Sequence, residues 1–298
     1  YAAFFILPLL VGGIVYLSWD STREVKSEKT SSRIVPGASM AELVLPDGTK
    51  VMLDREMNRA LEEGVRNSGD TLNYTEVASG GVQDSCEIYH TLRVPRGGEY
   101  TLVLADGTTV YLNAESELRF PKQFRGKNRK VYLTGEGYFD VQRNEKQPFI
   151  VEAQQVEIRV LGTSFGVRAY TKEENVLTTL IQGRVNVEAD GQQVELDPGQ
   201  QADFNRGNDR LTVAEVDVEQ YVGWKDGRLV FDNKPLEFIL EELGRWYSFD
   251  VFYTNKELKE IPYSLNIKKH EDIAHVLKFI ERTGKVKFEV NKNTIIVK

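Results

Sequence analysis

Gly162 and Thr163, inside VLGTSF, set a hydroxyl directly after the carbonyl of a glycine. A hydroxyl in that position can attack the preceding carbonyl in an N-to-O acyl shift, and glycine tolerates the strained turn the attack requires. The simpler reading is a turn between two strands, and an intact bond is the expected outcome. Glu136 and Asp140 flank Gly-Tyr-Phe and have the composition of a glycosidase carboxylate pair. Charges on the solvent face of a strand account for them more simply. His270 and His275 are five apart, not the four that would place a metal pair on one helix face, so His90, His270 and His275 read as surface histidines. Cys86 is the single cysteine and can form neither an internal disulfide nor a zinc site. The stretch KQFRGKNRK (122–130) carries five cations, enough for an anionic partner, although a solvated loop is the preferred reading. There is no Ser-His-Asp order, glycine-rich phosphate loop or Cys-His cluster. The chain therefore reads as a non-enzyme with no metal and no cofactor.

The elements that must carry these residues are mostly strands. LVLPDGTKVML (43–53) returns as LVLADGTTVYL (102–112) with eight of eleven positions identical. Each copy is a hairpin by its pattern, two alternating runs around Asp-Gly, the favoured two-residue turn with positive φ at both positions. Asp-Gly recurs at 190–191 and 226–227, and VNVEADGQQVEL is a weaker third copy. Between 40 and 224 the alternation continues without a helical period and predicts a stacked all-β module, with a repeat-like hairpin at 41–54. REMNRALEEGVRN (55–67) is the exception and reads as a short helix or a loop excursion. After Trp224 the grammar changes. Leu236, Ile239, Leu240, Leu243 and Trp246 fall on one helix face behind Asn233 and Pro235, and Ile273, Val276, Leu277 and Ile280 on another ahead of Gly284. Residues 225–298 thus predict a small α+β domain of order β-α-β-β-α-β, with a possible extra edge strand.

Residues 1–19 are uncharged and apolar, about the length needed to span a bilayer. Tyr16 and Trp19 suit the headgroup layer at one end of that transmembrane helix. Residues 20–39 follow as a polar juxtamembrane linker. Overall the chain has 298 residues, 41% hydrophobic and 28% charged, with a formal net charge of -7. That balance fits a globular protein and argues against nucleic acid as a partner.

The succession VPRGGEYTLVLADGTTVYLNAESELRFP, VYLTGEGYFDV, VLGTSFGV, LIQGRVNV and LDPGQQA (residues 94–202) resembles FecR-type proteins, inner-membrane regulators of extracytoplasmic-function sigma factors. Gly137 and Gly166 depart from the usual pattern. The last 70 residues resemble the C-terminal domain of the same proteins, an STN-like fold related to the short N-terminal domain of secretins and TonB-dependent transporters. The resemblance implies a single-pass protein of the bacterial inner membrane with most of its chain in the periplasm. It also implies an extracytoplasmic-function sigma factor as partner, bound through a segment expected ahead of Tyr1, and the N-terminal signalling domain of a TonB-dependent outer-membrane transporter. Some FecR-like regulators cut themselves at a Gly-Thr bond, which is what Gly162-Thr163 resembles. For the transporter, the candidate dock is the last strand, Thr294, Ile295, Ile296 and Val297, read as an uncovered edge that can take an added strand; a groove near VPRGGEY is the rival. The alternative function is a membrane-tethered β-rich periplasmic protein that binds glycan or a surface protein.

Overall fold

A computed structural model describes residues 34–77 and 87–298. The apolar segment 1–19 with Tyr16 and Trp19, the first part of the linker, and Cys86 lie outside the described residues. Among the described residues no helix is long and apolar enough to cross a membrane. Arg33–Lys298 forms one compact unit.

Eighteen strands, in one hydrogen-bonded network, make up its first part. They are β1 (Ala38–Val44), β2 (Lys50–Asp54), β3 (Arg59–Glu62), β4 (Val65–Ser68), β5 (Thr71–Asn73), β6 (Tyr89–Val94), β7 (Gly98–Val103), β8 (Thr109–Leu112) and β9 (Ser116–Pro121). They continue with β10 (Arg129–Asp140), β11 (Phe149–Ala153), β12 (Val156–Val160), β13 (Ser164–Ala169), β14 (Asn175–Gln182), β15 (Val185–Ala189), β16 (Gln192–Leu196), β17 (Gln200–Asn205) and β18 (Arg210–Glu215). The long strand β10 joins two layers. Its first half pairs with β9 and, in parallel, with β11. Its second half, from Gly135 onward, pairs with β8 and β13. Gly135 is the bend between the halves, at φ 95°. A Cβ there would stand 2.5 Å from Ser116 Oγ and 2.6 Å from Ser116 Cα, so only glycine fits. The alternation read from the sequence is what fills the space between the layers. Leu43, Leu102, Leu118, Val131, Phe139, Phe149 and Phe165 all belong to one buried core, and Phe139 stacks on Phe165 at 5.2 Å between ring centroids.

The repeated sentence does form two hairpins, β1–β2 and β7–β8, but not with the turn expected. Leu45 N–H donates to Thr49 O and Gly48 N–H to Leu45 O, which makes a three-residue loop. Only Gly48 has positive φ, 85°. The second copy repeats the bonds with Leu104, Thr108 and Gly107. Aspartate sets the geometry as an acceptor: Asp47 Oδ1 takes the Thr49 N–H at 2.8 Å and Asp106 Oδ1 the Thr108 N–H at 3.0 Å. Asp190-Gly191 is the two-residue turn, with φ 46° and 72°, between β15 and β16. Asp226-Gly227 turns no hairpin; it closes a short 3₁₀ turn, Gly223–Asp226. Residues 55–67 are neither helix nor loop excursion. They hold β3 and most of β4, antiparallel to each other around Gly64 at φ 76°. Ala60 and Leu61 lie in β3 and Val65, which is buried, in β4.

The rest of the chain holds α1 (Glu219–Val222), β19 (Arg228–Pro235), α2 (Leu236–Tyr247), β20 (Asp250–Tyr253), β21 (Pro262–Lys268), α3 (Ile273–Glu281), β22 (Phe288–Asn291) and β23 (Thr294–Val297). The helices bury the faces read from the sequence, and Asp272 caps α3 by accepting the Ala274 N–H at 2.9 Å. Asn233 does not start α2; it sits at φ 49° where the β19–β21 register shifts. The extra strand is present, and the strands divide into a pair, β19–β21, and a trio in the order β20-β23-β22. The last strand is therefore not an edge. It pairs with β20 in parallel and with β22 antiparallel, and Ile295 and Val297 are fully buried. A free chain end does not leave a strand free: the β22–β23 hairpin folds the terminus back into the centre of the trio. Replacing Gly135 by alanine is expected to cost about 3 kcal/mol, from positive φ plus the overlap with Ser116. Chemical denaturation followed by circular dichroism checks this, and a midpoint unchanged from wild type would refute it.

Candidate functional site

Where the α+β part meets the β module, charged side chains are buried together. Arg168 comes from β13, Glu173 from the turn after it, Glu136 from β10, and Glu242 and Arg245 from α2. Arg168 donates through Nε and Nη2 to the two oxygens of Glu173 at 2.7 and 2.6 Å, and through Nη2 to Glu242 Oε1 at 2.6 Å. Its Nη1 lies 3.7 Å from Glu136. Arg245 donates to Glu173 at 2.8 Å and to Glu242, and its Nε lies 3.5 Å from Glu115. The Tyr170 ring lies under both guanidinium groups, 5.1 Å from Arg168 and 4.2 Å from Arg245. Glu136, expected on a solvent face, is 5% exposed and accepts the Asn113 amide at 2.6 Å. Burial pushes its carboxyl up to about 7 despite the pull of Arg168, and the carboxylates of Glu242 and Glu173 push the same way. Burial acts on Glu242 too, but Arg168 and Arg245 outweigh it and hold that carboxyl below its ordinary range.

A second contact is a lysine peg. Lys269, just beyond β21, is 1% exposed. Its Nζ donates to Glu99 Oε2 of β7 at 2.6 Å and lies 4.1 Å from the Trp246 ring and 5.1 Å from the Trp224 ring. Burial lowers its pKa, against the opposing effect of Glu99. The third contact is VPRGGEY, where the sequence offered either a turn or a groove. Arg96 donates to Gly244 O at 2.9 Å, to Phe249 O, and to Asp250 Oδ1 at 2.8 Å. The Gly97 N–H donates to Arg245 O at 2.7 Å, and Gly97 O accepts the Ala38 N–H at 2.9 Å. Gly37 is pressed into this joint: a Cβ on it would fall 2.5 Å from Gly97 O and 2.7 Å from the Trp246 ring. Ile34 is buried in the α+β core. The described end of the linker, residues 34–39, is thus held between both parts and is no loose spacer.

The other residues singled out by sequence are scattered. Thr163 is buried, and its hydroxyl donates to Arg184 O at 2.9 Å. A Cβ on Gly162 would strike Arg143 at 2.5 Å. Glu136 and Asp140 are four residues apart along one strand, about 13 Å at the usual rise, too far for either glycosidase geometry. His90 is not a surface residue; it is 1% exposed, with Nδ1 2.6 Å from Tyr74 Oη. His270 packs edge-on against Trp246, and His275 pairs with Glu271 at 3.2 Å. Of the five cations in 122–130, Lys122 pairs with Glu62, Arg129 is buried against Asp106, and Lys130 pairs with Glu152. The stretch is structural on those three counts. Thr294 to Val297 occupy the centre of the trio, away from any free edge.

Sequence reasoning missed the seam because each member looks like ordinary surface charge. The one available signal was GEGYF itself, an acid between two glycines on a strand otherwise rich in buried positions. Because the folded Glu136 holds its proton to about pH 7 and the unfolded one releases it near pH 4.3, its contribution to stability is complete below the lower value. It is lost as pH rises through the higher one. The melting temperature of the wild type is expected to fall more steeply between about pH 5 and pH 8 than that of Glu136→Gln. Parallel curves for the two proteins would refute the assignment.

The FecR protein family model matches residues 90–186, and the FecR, C-terminal model matches residues 228–297. No curated protein matches the chain. Two crystal structures of a protein assigned as an anti-sigma factor in Parabacteroides distasonis ATCC 8503 are similar, each at 27% identity and a TM-score of 0.65, covering 70% of this chain and 98% of the other.

Proposed function

The chain belongs to the FecR family of anti-sigma regulators, and from that premise we propose that it relays the state of an outer-membrane TonB-dependent transporter to a cytoplasmic sigma factor. On this reading residues 1–19 anchor it once in the inner membrane, the chain from 34 onward lies in the periplasm, and the sigma factor binds a segment ahead of Tyr1. The transporter's N-terminal signalling domain docks on the α+β part, residues 225–298. The observation that carries the reading is the joint at Gly37. The chain arriving from the apolar segment is gripped by the Gly97 loop of the module and by Trp246 of α2. A load on the α+β part therefore reaches residues 37 and 38 through two direct contacts.

Arg96→Ala combined with Lys269→Ala removes the clasp and the peg but leaves the outer surface of 225–298 intact. The expected result is a chain that still binds the purified signalling domain while a sigma-dependent reporter no longer responds to transporter substrate. A reporter that responds normally in this double variant would contradict the relay. Orientation is tested separately: cysteine introduced at exposed Asn208 is expected to react with an impermeant maleimide in intact spheroplasts, and protection there would place the module on the wrong side.

A further inference from the structure

The trio β20-β23-β22 has two outer strands, and their edges are not equivalent. At β20, Arg96 covers the first residues through Phe249 O and Asp250. Among the described residues, the module places no such cover on the edge of β22. Lys287 and Lys298 exchange both backbone hydrogen bonds at 2.9 Å, and the register runs on through Phe288↔Val297, Glu289↔Ile296 and Val290↔Ile295. Antiparallel ladders alternate, so the N–H and C=O groups of Phe288 and Val290 point away from β23. The Phe288 N–H is taken at 2.7 Å by a carboxylate oxygen of Glu281. This edge already binds an acid at one of its two outward donors.

The charge around it is unlike that of the whole chain. From Lys278 to Lys298 there are six lysines and arginines and two glutamates, in a protein of net charge -7. One of those glutamates is Glu281, and the other, Glu289, is paired with Lys298. Lys278, Arg282, Lys285, Lys287 and Lys292 are exposed. Val290, on the edge strand, is 51% exposed and offers an apolar contact to a neighbouring strand. Lysines on an edge repel a second copy of the same edge, and the same charges favour a partner of opposite sign.

We propose that the free edge of β22 accepts an extended, acidic strand of the docking protein, which joins the trio as a fourth strand. The outward groups of Val290 supply the backbone bonds, Lys285 and Lys287 face the acidic side chains, and Glu281 yields the Phe288 N–H to the incoming strand. This rests on the reading of 225–298 as the docking unit and names the edge and the chemistry that do the docking.

The test uses the full chain in detergent with two probes, the transporter's signalling domain and a synthetic strand peptide of alternating glutamate and valine. Two variants are compared with wild type. Val290→Pro removes an outward donor without touching the β22–β23 bonds, and Lys285→Glu with Lys287→Glu reverses the local charge. Melting curves within a few degrees of wild type establish that the variants are folded. Both variants are expected to weaken both probes at least tenfold, and binding to wild type is expected to weaken with added salt. A signalling domain that binds wild type and both folded variants equally overturns the β22 edge and leaves the proposed function standing. A signalling domain that fails to bind even the wild type counts against the proposed function. The peptide still decides the edge in that case, because equal peptide affinity for wild type and variants, or none for any, overturns it.

Discussion

The buried charges at the junction of the two parts are organised by Arg168. A guanidinium removed from water is tolerable only when its donors are satisfied and its charge is opposed. Here the acids come from both sides: Glu173 and Glu136 from the module, Glu242 from α2. Separating the parts would leave Arg168 with Glu173 and Glu136 and strip Glu242 of its strongest partner. Buried ion networks of this kind add little net stability over a well-packed apolar contact, but breaking one by halves is costly. The seam therefore fixes one relative placement of the two parts instead of merely holding them together, which matches their forming one compact unit. Burial is the main reason that Glu136 keeps its proton to near neutrality, and the neighbouring carboxylates of Glu242 and Glu173 add to it against the pull of Arg168.

The β module supplies rigidity by a different route. Its two layers share β10, so the layers cannot slide without breaking pairings to β8, β9, β11 and β13. Gly135 places the crossing point, and the residue after it is Glu136. The bend that joins the layers also aims the acid into the seam. A strained or glycine-only position beside a buried charge is the kind of local departure that a regular fold accommodates for a purpose.

Much of this was legible in the sequence. Hairpins at 43–53 and 102–112, strands through 217, and the buried faces of α2 and α3 follow from periodicity, because apolar spacing directly records which side of an element meets the core. Turn type was less legible. Asp-Gly with its preceding residue does not set loop length: Ala105 leads into a three-residue loop in which only Gly107 has positive φ, whereas Ala189 leads into a two-residue turn with positive φ at both Asp190 and Gly191. The strands at 55–67 were obscured because the outer one, β3, carries no fully buried residue and four residues in each give little pattern to read. Glu136, Glu242 and Lys269 were illegible for a plainer reason. A charge that will be buried looks identical in sequence to one that will not, and only the tertiary partner distinguishes them. The position of the last strand was equally hidden, since sequence order gives no register between strands distant along the chain.

The seam and the Gly37 joint also differ in physical kind. The seam is a network of charges and polarisable rings, and it fails by a discrete loss of partners. The joint is steric: Gly97 O and the Trp246 ring leave no room for a side chain on Gly37, and hydrogen bonds bind Ala38, Gly97 and Arg245 in series. Arg245 belongs to both, its side chain in the seam and its carbonyl in the joint. The α2 backbone that carries the Arg245 side chain into the seam is thus hydrogen-bonded to the Gly97 loop, and that loop to Ala38. Because packed interfaces have discrete arrangements instead of deforming continuously, sharing Arg245 ties the seam and the Gly37 joint to one placement of α2.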